Sequence, residues 1–206
     1  MASTKDWLDW HLPYADEQSP LSRRLRLIQH HLTEWLDSKS DAATIVSVCA
    51  GQGHDLIGVL AAGPVRAHLI EFDPRNVAAA RERIGEAGLD NVTVICADAG
   101  DLTTYQDLGR ADLVLLAGVL GNISDADVRR TIERVPQLCT KGATVIWTRA
   151  RRAPDLTPAI RAWFAEAGFA ERAFHAPEDV MFTVGVHEFH GEPQPLEPAG
   201  TIFRFL

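Results

Sequence analysis

Cysteine is scarce in this chain: three residues among 206, at 49, 96 and 139, odd in number and far apart. That spacing supports neither a disulfide framework nor a zinc site, and a reducing cytoplasm is the expected compartment. Lysine is just as rare, at 5, 39 and 141 only, so nearly all the positive charge is arginine. Acidic residues outnumber basic ones by 28 to 20, for a formal net charge of -8. A field of that sign repels nucleic acid, and the densest basic stretch, "TRARRAP", is too short for a nucleic-acid arm. No apolar run reaches the ~18 residues that mark a membrane span. The opening "MASTKDWLDWHLPY" lacks the basic-then-apolar order of a secretory signal. With these classes set aside, a 46% hydrophobic and 23% charged composition supports one globular domain with a proper core. Small molecules or proteins are its expected partners, with no nucleic acid and no membrane.

Helix and strand signals alternate along the chain. "SPLSRRLRLIQHHLTEWLDS" is predicted helical, with Ser19 as cap, Pro20 at the first helical position and Leu21, Leu25, Ile28, Leu32 and Leu36 on one face. Adjacent His30 and His31 fall on different faces of that helix, a poor metal pair, and no metal site is expected. "TIVSVCA", "RAHLIEF", "NVTVICAD", "ADLVLLAG" and "ATVIWTR" read as strands. Helices are predicted over "HDLIGVLAAG", after Asp73 and Pro74, over "SDADVRRTIERV" and over "TPAIRAWFAEAG". "FAERAFHA" and "VMFTVGVHEF" have only a short link between them, so they should pair antiparallel. The expectation is an α/β fold: a mostly parallel sheet covered on both faces, a helical cap over 1–43 and a core over 44–206. The tail "GEPQPLEPAGTIFRFL" reads as an arm on the sheet edge or on another subunit.

Ligands of such sheets bind at the carboxyl ends of strands, where the strand order reverses. At the first such end "VSVCAGQGHD" bares its backbone at Gly51 and Gly53, allowing a tight turn and close approach of a ligand. A dinucleotide site would want a third glycine where Leu56 stands, which disfavours a nicotinamide-dependent oxidoreductase. Two acids follow in register. Glu71 closes the second strand, where a carboxylate can accept both hydroxyls of a ribose, and Asp98 closes the third, beside an expected adenine pocket. Asp73, directly before Pro74, reads as a helix cap.

As a set, these motifs resemble the class I S-adenosylmethionine-dependent methyltransferases. "VSVCAGQGHD" matches the glycine motif, "LIEFDPRNVAAAR" the acidic second-strand motif, "VTVICADAGDL" the third and "ADLVLLAGVLGNIS" the fourth, over roughly residues 44 to 190. The likeness is greatest to small bacterial members of unassigned substrate. It implies a Rossmann-like seven-stranded sheet with an antiparallel last strand, and S-adenosylmethionine as cofactor. It also implies that Ala50, Gly51, Gln52 and Gly53 face the methionine part, Glu71 and Phe72 the ribose side, and Asp98 with Ala99 the adenine. The backbone around Gly118 would then pass the methionine end. Cys49 departs from the family, which often has an acidic residue there.

Methyl transfer from a sulfonium needs little covalent help, so catalytic residues are harder to read than cofactor residues. The candidates are Tyr14 and His11 of "WHLPY", Asn122 after the fourth strand and His175 at the end of the sixth. Each has a bland alternative in packing or capping, as do Arg23, Arg24, Arg149, Arg151 and Arg152. The Asn/Asp-Pro-Pro-Tyr pattern of enzymes that methylate planar amino groups is absent. The resulting expectation is methylation of a small-molecule acceptor, in bacterial secondary metabolism, by a monomer or homodimer. The alternatives are a non-catalytic cofactor-binding protein of the same fold and an RNA or protein methyltransferase.

Overall fold

The computed structural model describes residues 6–7 and 9–206; positions 1–5 and 8 of the expected cap lie outside the described residues. Seven strands form one sheet: β1 (Ala43–Val48), β2 (Val65–Glu71), β3 (Val92–Cys96), β4 (Ala111–Leu116), β5 (Cys139–Ala150), β6 (Phe169–His175) and β7 (Phe182–Phe189). Their spatial order is β3-β2-β1-β4-β5-β7-β6. The first five run parallel, and β7 is antiparallel to both neighbours. Both faces of the central strands are covered, which is why their sequences are near-continuous Val, Ile and Leu rather than alternating. The hairpin of β6 and β7 follows from a link too short to hold a crossover helix.

Two apolar layers sandwich the sheet. On one face, α1 (Pro20–Asp37) and α3 (Pro74–Glu86) bury Ile28, Leu32, Val77 and Ala80. On the other, α4 (Asp125–Arg134) and α5 (Thr157–Glu166) bury Val128, Ile132, Ile160 and Phe164. Side-chain caps set the helix starts: Ser19 accepts from Ser22 N at 3.1 Å, Asp73 from Arg75 N at 2.9 Å and Ser124 from Asp127 N at 3.1 Å.

Two elements differ from the sequence expectation. The helix after the glycine turn, α2, spans only His54–Ile57 instead of reaching Gly63. Gln29 of α1 donates to the His54 carbonyl at 3.1 Å, occupying the acceptor that the next turn would use. Gly58 leaves the space for it, since a Cβ there would stand 2.7 Å from Gln29 Nε2. The tail does not run along the sheet edge; it crosses the carboxyl ends of the strands. Thr201 bridges to Asp101 and Phe205 to Ile123, while Ile202 N donates to Gly100 O at 2.7 Å. Ile202 and Phe203 are buried, so the tail belongs to the core of its own chain.

That arrangement fixes where a ligand can go. The chain runs from β1 outward to β2 and β3, then returns to lay β4 on the other side of β1. The reversal opens a crevice between the ends of β1 and β4.

Candidate functional site

A cavity of about 1000 Å³ occupies this crevice. Its floor is the glycine turn after β1, its near wall the end of β2 and the start of α3, and its far wall the loop after β4. Gly51 lies on the floor with a left-handed φ of 56°, and its N–H donates to Glu71 Oε2 at 2.8 Å. Asp73 N donates to the other oxygen, Oε1, at 2.9 Å. The Glu71 carboxylate is thus held at both ends by main-chain donors, buried to 7% exposure, and still lines the cavity. Each of its oxygens keeps acceptor capacity for the hydroxyls of a bound polyol. Asp98 lies at the end of β3 and its Oδ1 accepts from Gly100 N at 2.8 Å. Ala99, Phe72 and Gly118 line the same space, and Phe72 is 74% exposed, an apolar ring with little protein over it. Gly118 takes φ 76°, its N–H fixed on Thr148 Oγ1 at 2.8 Å.

Three residues of the glycine motif play a different part. Ala50 and Gly53 are buried under the turn and absent from the wall. Ala50 N donates to Ile70 O at 2.9 Å, and a Cβ on Gly53 would stand 2.5 Å from Ile57. Gln52 turns sideways, its amide 3.4 Å from Asn76 Oδ1. Of the four residues from Ala50 to Gly53, Gly51 alone lines the cavity. Cys49, also on the wall, holds φ 55°, unusual for a residue with a Cβ. Burial, with the charges of Glu71 and Asp98, pushes its thiol well above the ordinary range, so it stays protonated and a poor nucleophile.

The structure disperses the four catalytic candidates. His11 lines the cavity, its ring over Gly51: a Cβ there would meet His11 Nε2 at 2.3 Å. His11 Nδ1 lies 2.8 Å from the Trp7 carbonyl, which can only accept, so the neutral ring carries its proton on Nδ1. Tyr14 stands one layer behind. It stacks on His54 at 4.3 Å and its hydroxyl accepts from Arg24 at 3.1 Å. Burial, then the charge of Asp55, raises its hydroxyl far above the ordinary range, with Arg24 opposing. Asn122 closes its own loop by donating to Gly118 O at 2.5 Å. His175 is away from the cavity, on β6 against His31 of α1.

Arginine and histidine placements also depart from expectation. Arg24, expected on a wet helix face, is 8% exposed, its guanidinium 5.2 Å from the Trp10 ring centre. Arg23 pairs with Asp179 at 2.7 Å. Arg149 donates to Leu120 O and Arg151 to Pro177 O and Val180 O, so both tie loops rather than offering a free anion site. His30 and His31 do not diverge: their ring centres are 5.1 Å apart and both reach Glu34.

Sequence reasoning missed the rim. Thr201, Arg204 and Phe205 of the tail line the cavity, facing Trp7 and Trp10 from the other chain end. Trp7 meets Phe205 edge-on, ring centres 5.2 Å apart. The apolar "TIFRFL" was the available signal, but nothing local tells where such a segment lands. Glu71, Asp73, Asp98 and Asp101 on the wall outnumber Arg75, which pairs with Asp73, and Arg204, so the lining keeps an acidic bias that favours a cationic ligand.

The comparisons agree with this geometry. Residues 45–142 match a family profile described as "Methyltransferase domain". Comparison with curated proteins gives no sequence match. Among solved structures, a magnesium protoporphyrin IX methyltransferase from Synechocystis PCC 6803 with bound S-adenosylmethionine is 17% identical, with a TM-score of 0.67 over 92% of this chain and 100% of that one. A "possible exported protein" from Bordetella parapertussis gives 17% identity and a TM-score of 0.69 over 89% and 79%. An O-methyltransferase family protein from Burkholderia thailandensis gives 19% and 0.61 over 80% and 57%. The chain therefore has the Rossmann-like fold of the class I S-adenosylmethionine-dependent methyltransferases, and its residues 45–142 are similar to a methyltransferase domain. Among the described residues no helix is long and apolar enough to cross a membrane.

Proposed function

We propose that this protein transfers the methyl group of S-adenosylmethionine to a small-molecule acceptor that enters between the two chain ends. One observation carries the reading: the buried Glu71 carboxylate, clamped by Gly51 N and Asp73 N, faces the cavity at the topological switch point. The cavity residues fit the cofactor. Glu71 offers acceptors for a ribose, Asp98, Ala99 and the exposed Phe72 ring line the same cavity, and Gly51 with the His11 ring over it borders the space left for the amino-acid arm. When bound, the cofactor supplies an electrophilic methyl on a good leaving group.

The protein's share is positioning, water exclusion and proton removal. Single small ligands fill roughly 300–1,000 Å³. The cavity lies at the top of that range, which leaves room for an acceptor beside a nucleoside. Trp7, Trp10 and Phe205 form an apolar wall on the side next to Gly118. His11 lines the cavity with its ring over Gly51, and is the residue we assign to take a proton from an acceptor hydroxyl. His11→Ala should keep S-adenosylhomocysteine affinity while lowering kcat about 10²- to 10⁴-fold. Transfer of methyl label to a panel of phenols, carboxylic acids and amines is the assay, and unchanged turnover would return His11 to a wall residue.

The contact of Trp7 with Phe205 supports a second reading, a cofactor-binding protein whose acceptor side is closed. Affinity for S-adenosylhomocysteine without label transfer to any acceptor would favour it. The bacterial secondary-metabolic role and the cytoplasmic setting belong to the leading proposal; they rest on size, acidity and family likeness.

A further inference from the structure

Outside the cavity, one cluster of ligating side chains has no part in the reading above. His30 and His31 of α1 flank Glu34 one helical turn on. His30 Nε2 lies 3.5 Å from Glu34 Oε1 and His31 Nδ1 lies 3.2 Å from Glu34 Oε2. One ligating atom from each of the three falls within 4.8 Å of the others. His175, 144 positions away on the edge strand β6, brings its Nε2 to 2.8 Å from His31 Nε2.

We propose that His30, His31 and Glu34 form a binding site for one zinc-class divalent cation, with His175 orienting His31 from behind. Zinc bonds of ~2.0–2.1 Å in a tetrahedron place neighbouring ligand atoms about 3.3 Å apart; each histidine is already 3.2–3.5 Å from one of the two Glu34 oxygens, and small side-chain rotations would draw the three atoms within 4.8 Å onto one ion. Two imidazoles and a carboxylate are a donor set suited to Zn²⁺ and unsuited to Mg²⁺ or Ca²⁺, and the fourth position opens to solvent. His31 is the pivot. Its side chain is 12% exposed, whereas those of His30 and Glu34 are 60% exposed, so the site is rooted in the α1–β6 contact but reachable. With Nδ1 on the metal, the Nε2 proton points at His175. A ligating histidine commonly has such a hydrogen-bonded partner on its second nitrogen.

The test uses untagged full-length protein, freed of metal by chelation and dialysis, titrated calorimetrically with zinc chloride. Cobalt(II) serves as a second probe, because its visible absorption reports nitrogen and oxygen ligation in a four-coordinate site. Saturable uptake of one ion per chain is expected, lost in H30A and H31A, weakened about tenfold or more in H175F, and unchanged in the control H190A. H30A alters an exposed side chain, so its loss of binding cannot be ascribed to misfolding once circular dichroism matches the parent. No saturable uptake, or uptake that survives H30A, overturns the proposal. Methyl transfer is not the readout, so the outcome is independent of the cofactor site.

Discussion

Which residues touch the cavity depends on contacts of very different range. Glu71 and Asp98 were legible because a carboxylate at a strand end needs only local chain direction to find the crevice. Gly51 was legible for the same reason, although its neighbours Ala50 and Gly53 turn out to support the turn from beneath. The catalytic candidates were not legible, since "WHLPY" acquires meaning only when it lands on the glycine turn. His11 lands on it and Tyr14 stops one layer short. Tyr14→Phe removes the acceptor of a buried Arg24 hydrogen bond. It should therefore cost about 1.5–3 kcal/mol of stability in urea unfolding and leave kcat near the parent value. A large fall in kcat at unchanged stability would instead place the hydroxyl in the chemistry.

At the scale of elements, buried strands were the clearest signal and the short connections the weakest. β7 shows how a strand depends on partners that sequence does not announce. Gly185 lets the Trp147 indole lie flat on the sheet, since a Cβ there would stand 2.3 Å from the ring. Trp147 Nε1 donates to His187 Nδ1 at 3.1 Å, and burial lowers His187 to about 4. Above pH ~6.5 neither the folded nor the unfolded chain protonates this ring. Between there and about 4 only the unfolded chain does. Stability should therefore fall as pH drops through that window, with a contribution on the order of 1.4 kcal/mol per pH unit from His187. Urea unfolding of the parent and His187→Gln from pH 7 to pH 4 checks it: the variant should show the shallower slope, and equal slopes would exclude His187 as the source. The pattern of α2 carries the opposite lesson, because a side chain from α1 ended a helix that its own sequence would have continued.

Over the whole molecule the mostly parallel sheet and its closing hairpin were readable from alternating helices and strands, whereas the seven-strand count came from the family resemblance and the spatial order of the strands from the structure. The closure of the cavity by both chain ends was not readable, because it joins segments nearly the full chain apart. Two buried tail residues, Ile202 and Phe203, belong to the same core layer as Ala99, Leu102 and Tyr105 of the segment between β3 and β4. Ending the chain at Glu197 should thus cost at least about 3 kcal/mol in urea unfolding and open the acceptor side, raising the acceptor KM. Unchanged stability and kinetics would show the tail to be an ornament of the surface. The most direct test of the central claim is calorimetric titration of S-adenosylhomocysteine into the parent protein and Glu71→Ala. Saturable one-site binding in the parent, weakened about tenfold or more in the variant, is predicted from the loss of a charged acceptor. No binding to the parent, or equal affinity in both, would contradict the account.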